Sequence, residues 1–338
     1  MTAGLSSTLD AAEAGAPTTR RGLDRALPRF LVRRLVRLFW SVVAVVTVSF
    51  LMVRLIPGDP VRNALGTNAS PAVVEARREA LGLNDSLWLQ YVNFWKGLLN
   101  GDLGESFSLG LPVSEVISQR LLATLELVFL SLAVALVLSI PVGIAVAALT
   151  RGGRRRPLDL AYTSISGLFA VFPEFLIGVG LVFFFAVQLH ALPVAGRSGP
   201  DSYVLPVLAL SIGISAAMSR IVRVEALTVL QQDYVRTARS KRMSAARLYF
   251  RHVVPNLLTS SLTLSGIVLG SLISGTVLVE TIFSWPGLGL TIVDSVRSKD
   301  FPLAQGIVVV YGVIVLIVNL LIDLAVAALD PRSATKGL

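Results

Sequence analysis

The sequence predicts an all-α membrane protein with six transmembrane helices and both termini on the cytoplasmic side. Three observations predict it. Hydrophobic residues make up 54% of the 338 residues and charged residues only 15%, giving a mean hydropathy of +0.74, too apolar for a soluble domain. Six apolar segments follow one another, each long enough to cross about 30 Å of hydrocarbon at about 1.5 Å per residue. The loops between them alternate in Lys and Arg content, as the positive-inside rule requires.

Residues 1–29, rich in Ala, Gly, Ser, Thr and Pro, are expected to be a disordered cytoplasmic tail. They do not read as a cleavable signal peptide, because the apolar run that follows is too long. Residues 30–57 hold the first span, from about Leu38 to Ile56, behind Arg33, Arg34 and Arg37. Residues 58–120 form a long external loop with two helical patterns, Val73 to Leu81 and the aromatic amphipathic stretch Leu87 to Leu99. Residues 121–332 carry five further spans: Leu121 to Leu149, Leu160 to Leu189, Val204 to Val224, Leu257 to Phe283 and Leu303 to Leu329. The third span contains Pro173 and is expected to be kinked or broken. Residues 333–338 form a short C-terminal tail.

With the N-terminus inside, the cytoplasmic segments hold seven, four, eight and two Lys or Arg, and the external ones five, one and two alongside as many or more acids. Most of the net charge of +9 is therefore positive-inside charge, and no nucleic-acid partner is needed to explain it. The absence of cysteine excludes disulfides, thiolate metal sites and a cysteine nucleophile. There is no G-x-x-x-x-G-K-[ST] phosphate loop, so no nucleotide site is expected in this chain. His190 and His252 fall on opposite sides of the membrane and cannot form a metal pair. Nothing has the context of an activated nucleophile, and no catalytic residue or metal ligand is expected.

The densest cationic stretch is DYVRTARSKRMSAARLYFRHVVPN, Asp233 to Asn256, within a cytoplasmic loop spanning residues 225–255. Small and apolar residues interleave its charges, unlike a plain polybasic anchor to membrane lipid. Ser244 is placed to cap a short helix and Pro255 to end it, which predicts two short helices below the membrane. Such an element suits a cytoplasmic partner, with arginines around an apolar ridge.

Tyr234 to Lys241, followed by His252-Val253-Val254-Pro255, resembles the coupling loop of binding-protein-dependent ABC importer permeases, in their dipeptide, oligopeptide and nickel branch. The family's Glu-Ala-Ala triad falls on Arg236, Thr237 and Ala238, followed by Arg239. Its Gly falls on Arg242, and its Ile-x-Leu-Pro end on His252 to Pro255. YVRTAR is the usual form in this branch, whereas Arg242 departs from the pattern. If that position needs positive φ, a long side chain there carries a steric cost. LIPGDP from Leu55, LGL from Leu81, Gln90-Tyr91, GDLGESF from Gly101, LPV from Leu111 and TLEL from Thr124 continue the resemblance. LPV from Leu192, ETIFSWPGLG from Glu280 and LDPR from Leu329 complete it.

The resemblance implies a type I ABC importer permease fold and transport of peptides or a related solute by alternating access. It implies a second homologous permease forming a heterodimer, two cytoplasmic ATPases that bind the ATP and Mg, and an extracytoplasmic solute-binding protein. Tyr234, Arg236, Thr237, Ala238, Arg239, Arg242, His252 and Pro255 would make the ATPase-coupling element. The alternative is an ion-coupled secondary transporter, which an inverted repeat would favour. Charges inside spans are functional candidates by default. Glu174, Glu126 and Glu280 are candidates for the translocation path, the last two near enough to the external interface to reach water. Asp323 is expected to be structural, paired with Arg220 or Arg223 or bonded to Asn319. Trp285, in the external Gly-rich loop, is expected at headgroup depth.

Overall fold

The computed structural model describes residues 20–55, 60–66, 69–80 and 82–329, and the described residues are helical apart from turns, loops and one isolated bridge. The tail residues 1–19, the centre of LIPGDP, the end of LDPR and the last residues 333–338 lie outside this set.

The first helix, α1, runs Arg20–Leu55. It begins ten residues before the expected start of the span segment at residue 30, because Arg, Leu and Ala dominate residues 20–29 and favour helix. Three short helices follow: α2 Pro60–Leu65, α3 Pro71–Ala80 and α4 Leu87–Leu99. Both helical patterns expected in this loop are present. Ser86 accepts the Leu89 N–H and starts α4. Thr47 and Tyr91 then share a hydrogen bond of 2.8 Å, and Phe50 meets the Tyr91 ring edge-on, which lays α4 across α1.

The next helix, α5, runs Val113–Thr150, eight residues longer at its start than expected. Val113, Val116 and Ile117 stand at helical spacing and are buried against Leu288, Leu303 and Ile307, which extends the helix into the former loop. After α6 Arg156–Val171 the chain breaks at Phe172–Pro173 and resumes as α7 Glu174–Leu181 with a π-helical turn Val182–Gln188. The two halves meet at 97°. Pro173 removes the donor that the Phe169 carbonyl would need, so the expected kink is a full break.

Then come α8 Val204–Leu230, α9 Asp233–Ser240, α10 Ala245–Leu248, α11 Val254–Ile282, α12 Leu288–Arg297 and α13 Phe301–Leu329. Among the described residues four stretches are long and apolar enough to cross a membrane: Val32–Met52, Val113–Gly153, Pro200–Leu230 and Phe301–Ala325. The broken α6–α7 pair makes a fifth. Within α11 the apolar described part is Val268–Ile282.

The packing centre is the α5–α8 pair, flanked by α6 and α11, with α13 between α11 and α1. At Gly143 a Cβ would lie 2.7 Å from the Ser219 carbonyl oxygen, so α5 and α8 pack at a distance only glycine permits. Leu127, Leu205, Leu272 and Phe283 fill the middle of the bundle. Apolar side chains on α5 and α6, such as Val137, Leu160 and Val171, stay exposed, as on a surface meant for lipid or another apolar chain. Arg34 of α1 and Asp323 of α13 form an ion pair at 2.7 Å. This corrects the expected partner of Asp323. Arg223 is taken by Asp159 at 2.5 Å, while Asn319 points its oxygen at Gly266 of α11.

Candidate functional site

The basic stretch folds as the expected pair of short helices. Gln232 is extended, Asp233 opens α9 with negative charge at its N-terminus, and the Thr237 and Ser240 hydroxyls bond back one turn. Val235 and Ala238, three apart, are buried with Ala147, Val222, Leu230, Leu248 and Val253. The opposite side shows Arg236, Arg239, Lys241 and Arg242 to solvent, joined by Arg247 and Arg251 after the turn. The apolar ridge thus packs against the bundle, and Ala238 is buried in it. Phe250, 77% exposed, is the large apolar exception.

At the end of α9 the Arg242 N–H bonds to the Arg239 carbonyl at 2.9 Å and the Met243 N–H to the Ala238 carbonyl at 3.2 Å. This is the Schellman pattern, with the left-handed residue at Arg242, φ 52°. The expected positive φ is present, and arginine occupies a position that favours glycine. Pro255 does not end a helix. It sits in the first turn of α11, after a π-helical turn Tyr249–Val253 in which the Val254 N–H reaches the Tyr249 carbonyl. A proline in the first turn lacks only a donor that would have been spare.

The first short helix, α9, is tied to the start of α11 by a cluster around Asn256, whose amide donates to the Tyr234 hydroxyl at 3.2 Å and the His252 carbonyl at 2.7 Å. The Tyr234 and His252 rings lie 6.1 Å apart. Sequence reasoning had both ring residues but missed Asn256, which shows only as the residue after the family-like proline.

The acids expected along a path separate into three situations. Glu280 is fully buried. It accepts from the Thr124 hydroxyl at 2.6 Å and the Leu290 N–H at 3.0 Å, and Thr124 in turn accepts from Leu288 N–H at 2.8 Å. A Cβ on Gly287 would come within 2.5 Å of this carboxylate. Glu280 is therefore enclosed by the Gly-rich loop and does not reach water. Trp285 is also corrected: it is fully buried, its indole N–H donating to the Ala123 carbonyl at 2.9 Å and its ring edge-on to Tyr203 at 4.7 Å. Buried Trp needs such a partner for its N–H, and the α5 carbonyl supplies it.

Glu126 accepts two bonds from Arg197, at 2.7 and 2.8 Å, and one from the Tyr203 hydroxyl at 2.7 Å. Both Arg197 bonds come from Nη2, and this charge-assisted pair fastens α5 to the loop before α8. Glu174 differs from both. It makes no hydrogen bond or ion pair among the described residues and lines a cavity of about 150 Å³ between the α6–α7 break, α8 and α11.

A further anchor was not read from the sequence. Asp300 is fully buried and accepts from Ser106 Oγ at 2.5 Å, Ser108 Oγ at 2.6 Å and the Ser108 N–H at 2.9 Å. Burial works to raise its pKa, but these bonds outweigh it and hold the carboxyl below its ordinary value. The legible signal was Asp300-Phe301-Pro302, a capping acid with proline just inside the following helix. Among the described residues no three His, Asp or Glu side chains gather as metal ligands.

The chain matches two family models. Residues 139–335 match the binding-protein-dependent transport system inner membrane component, and residues 27–128 match the N-terminal part of such membrane components. The glutathione transport system permease protein GsiC of Pectobacterium atrosepticum is 37% identical over 309 residues, covering 91% of this chain and 99% of that one. A probable peptide ABC transporter permease protein, y4tP of Sinorhizobium fredii, is 35% identical over 311 residues, covering 90% and 98%. In structure, the chain is similar to the MetNI methionine ABC transporter in an inward-facing conformation. That match has a TM-score of 0.55 at 17% identity and covers 64% of this chain and 96% of that one. These findings favour ABC transport over the ion-coupled alternative. The chain belongs to the inner membrane component family of binding-protein-dependent transport systems, and is a permease subunit of an ABC importer.

Proposed function

We propose that this chain pairs with a second, homologous permease and carries a peptide or peptide-like solute inward across the cytoplasmic membrane by alternating access. It crosses six times with both termini inside, α11 being the sixth span. Two cytoplasmic ATPases bind ATP and Mg and grip the α9–α10 element through Tyr234, Arg236, Thr237, Arg239, Arg242 and His252. An extracytoplasmic solute-binding protein delivers cargo to the end carrying α2 to α4 and α12. Glutathione and peptides, named for two relatives, indicate the class of cargo.

The observation that carries this reading is the two-sided build of α9, locked to the bundle through Val235 and Ala238 and cationic on its free side. A push on the cations moves the inner ends of α8 and α11 with it. Driving a two-state switch from 1:99 to 99:1 takes about 5.5 kcal/mol of differential interaction. One exposed ion pair supplies about 0–1 kcal/mol, so several cations must act together. The exposed apolar faces of α5 and α6 support a second permease at the same membrane depth.

Co-purification in mild detergent from the native host tests this reading. An ATPase is expected to accompany the wild-type chain and to be lost with Arg236→Glu, Arg239→Glu while the permease stays folded. Recovery of no ATPase even after cross-linking overturns the coupling role and leaves the arginines as lipid anchors.

A further inference from the structure

We propose that the cavity beside the α6–α7 break is a subsite for a primary ammonium group. The assignment rests on the reading that this chain forms half of a solute pathway. At about 30 Å³ per water, a volume of about 150 Å³ admits the charged end of a solute rather than a whole peptide.

The polar side chains that line the cavity are Glu174 and Ser271. The Glu174 carboxylate has no partner among the described residues. The last turn of α6 ends here, and Pro173 has no N–H to give the Phe169 carbonyl. That oxygen lies 3.2 Å from where a Cβ on Gly213 would stand, so it faces the glycine gap in α8. The Ser271 hydroxyl spends its proton on the Val268 carbonyl at 2.8 Å, which leaves lone pairs. No lining side chain carries an N–H, the remainder being Gly, Ala, Leu, Ile and Phe. A Cβ on Gly275 would fall 2.7 Å from Glu174 Oε1, so glycine at that position lets the carboxylate lie against α11.

Glu174 stands in the first turn of α7, whose dipole favours its negative charge, and an unpaired carboxylate facing the end of α6, with no side-chain donor in the lining, favours a cation that brings several N–H groups. A primary ammonium has three donors and no acceptor. The amino terminus of a short peptide is the solute group of this class. Irregular backbone at membrane depth is tolerated where it lines such a cavity.

The cysteine-free chain allows a direct test. Ser271→Cys is introduced into the full chain, and its reaction with neutral N-ethylmaleimide is timed in membranes. Millimolar glycinamide is expected to slow labelling roughly threefold, as a ligand present at about twice its Kd would. N-acetylglycinamide and magnesium chloride are expected to leave the rate unchanged. In the Glu174→Gln background glycinamide should lose its effect. Equal protection by glycinamide and N-acetylglycinamide, protection by magnesium, or protection that survives Glu174→Gln each overturns the assignment. A cysteine that never reacts overturns it too, by showing the cavity sealed. Co-purification of the ATPase is scored separately, so failure of the subsite is distinguishable from failure of the permease reading.

Discussion

Around Glu280, one carboxylate joins three parts of the chain. It accepts hydrogen bonds from the Thr124 hydroxyl on α5 and from the Leu290 N–H on α12 while belonging to α11 itself. Buried polar groups left without partners cost about 1–3 kcal/mol each. Glu280→Ala orphans the Thr124 hydroxyl and the Leu290 N–H and leaves a void, so a loss of about 3–5 kcal/mol is expected. Glu280→Gln retains an acceptor for Thr124 and should lose less than half as much. Thermal unfolding of the detergent-purified chain reads both, and an alanine variant as stable as wild type would sink the hub role. The sequence marked Glu280 as costly in a span but not as enclosed, because enclosure comes from Gly287 and Gly289 folding back over it.

At the level of elements, α9 shows local rules and packing agreeing except at one position. The acid in its first turn and its buried three-residue spacing follow from local rules. Arg242 does not, since a non-glycine residue in the left-handed region costs roughly 1–2 kcal/mol. Arg242→Gly is expected to stabilise the element slightly, whereas Arg242→Val should lower the melting point, because a β-branched side chain is worst at φ 52°. If valine and glycine melt together, the Schellman turn is not holding the element. Burial of the apolar side was not legible in the same way. Val235 and Ala238 read equally well as a ridge for a partner until Val222, Leu230 and Val253 are brought beneath them.

On the scale of the whole molecule, Asp300 ties the 104–112 loop to the α12–α13 corner, and Arg34–Asp323 ties α1 to α13. The Asp300 carboxyl titrates below the ordinary 3.8. A depressed carboxylate contributes stability above its ordinary pKa and loses it as pH falls through the folded value. Protection of the loop amides, relative to their intrinsic exchange rate at each pH, is therefore expected to stay constant from about pH 7 down to about pH 5 and to fall only below the ordinary carboxylate pKa. Asp300→Asn should exchange faster at neutral pH and lose that acid step. A wild-type loop that already loosens near neutral pH contradicts the anchor.

The helical class, the order of the apolar segments, the break at Pro173 and the cationic helix pair were determined by the sequence alone. Each depends on local composition, on period or on a proline, and local chemistry suffices for these. The tertiary structure alone decided that Trp285 and Glu280 are enclosed, that Asp323 meets Arg34, and that Glu174 faces a cavity with no partner among the described residues. Those outcomes join residues far apart in the chain, and burial belongs to whatever packs over a side chain rather than to the side chain itself.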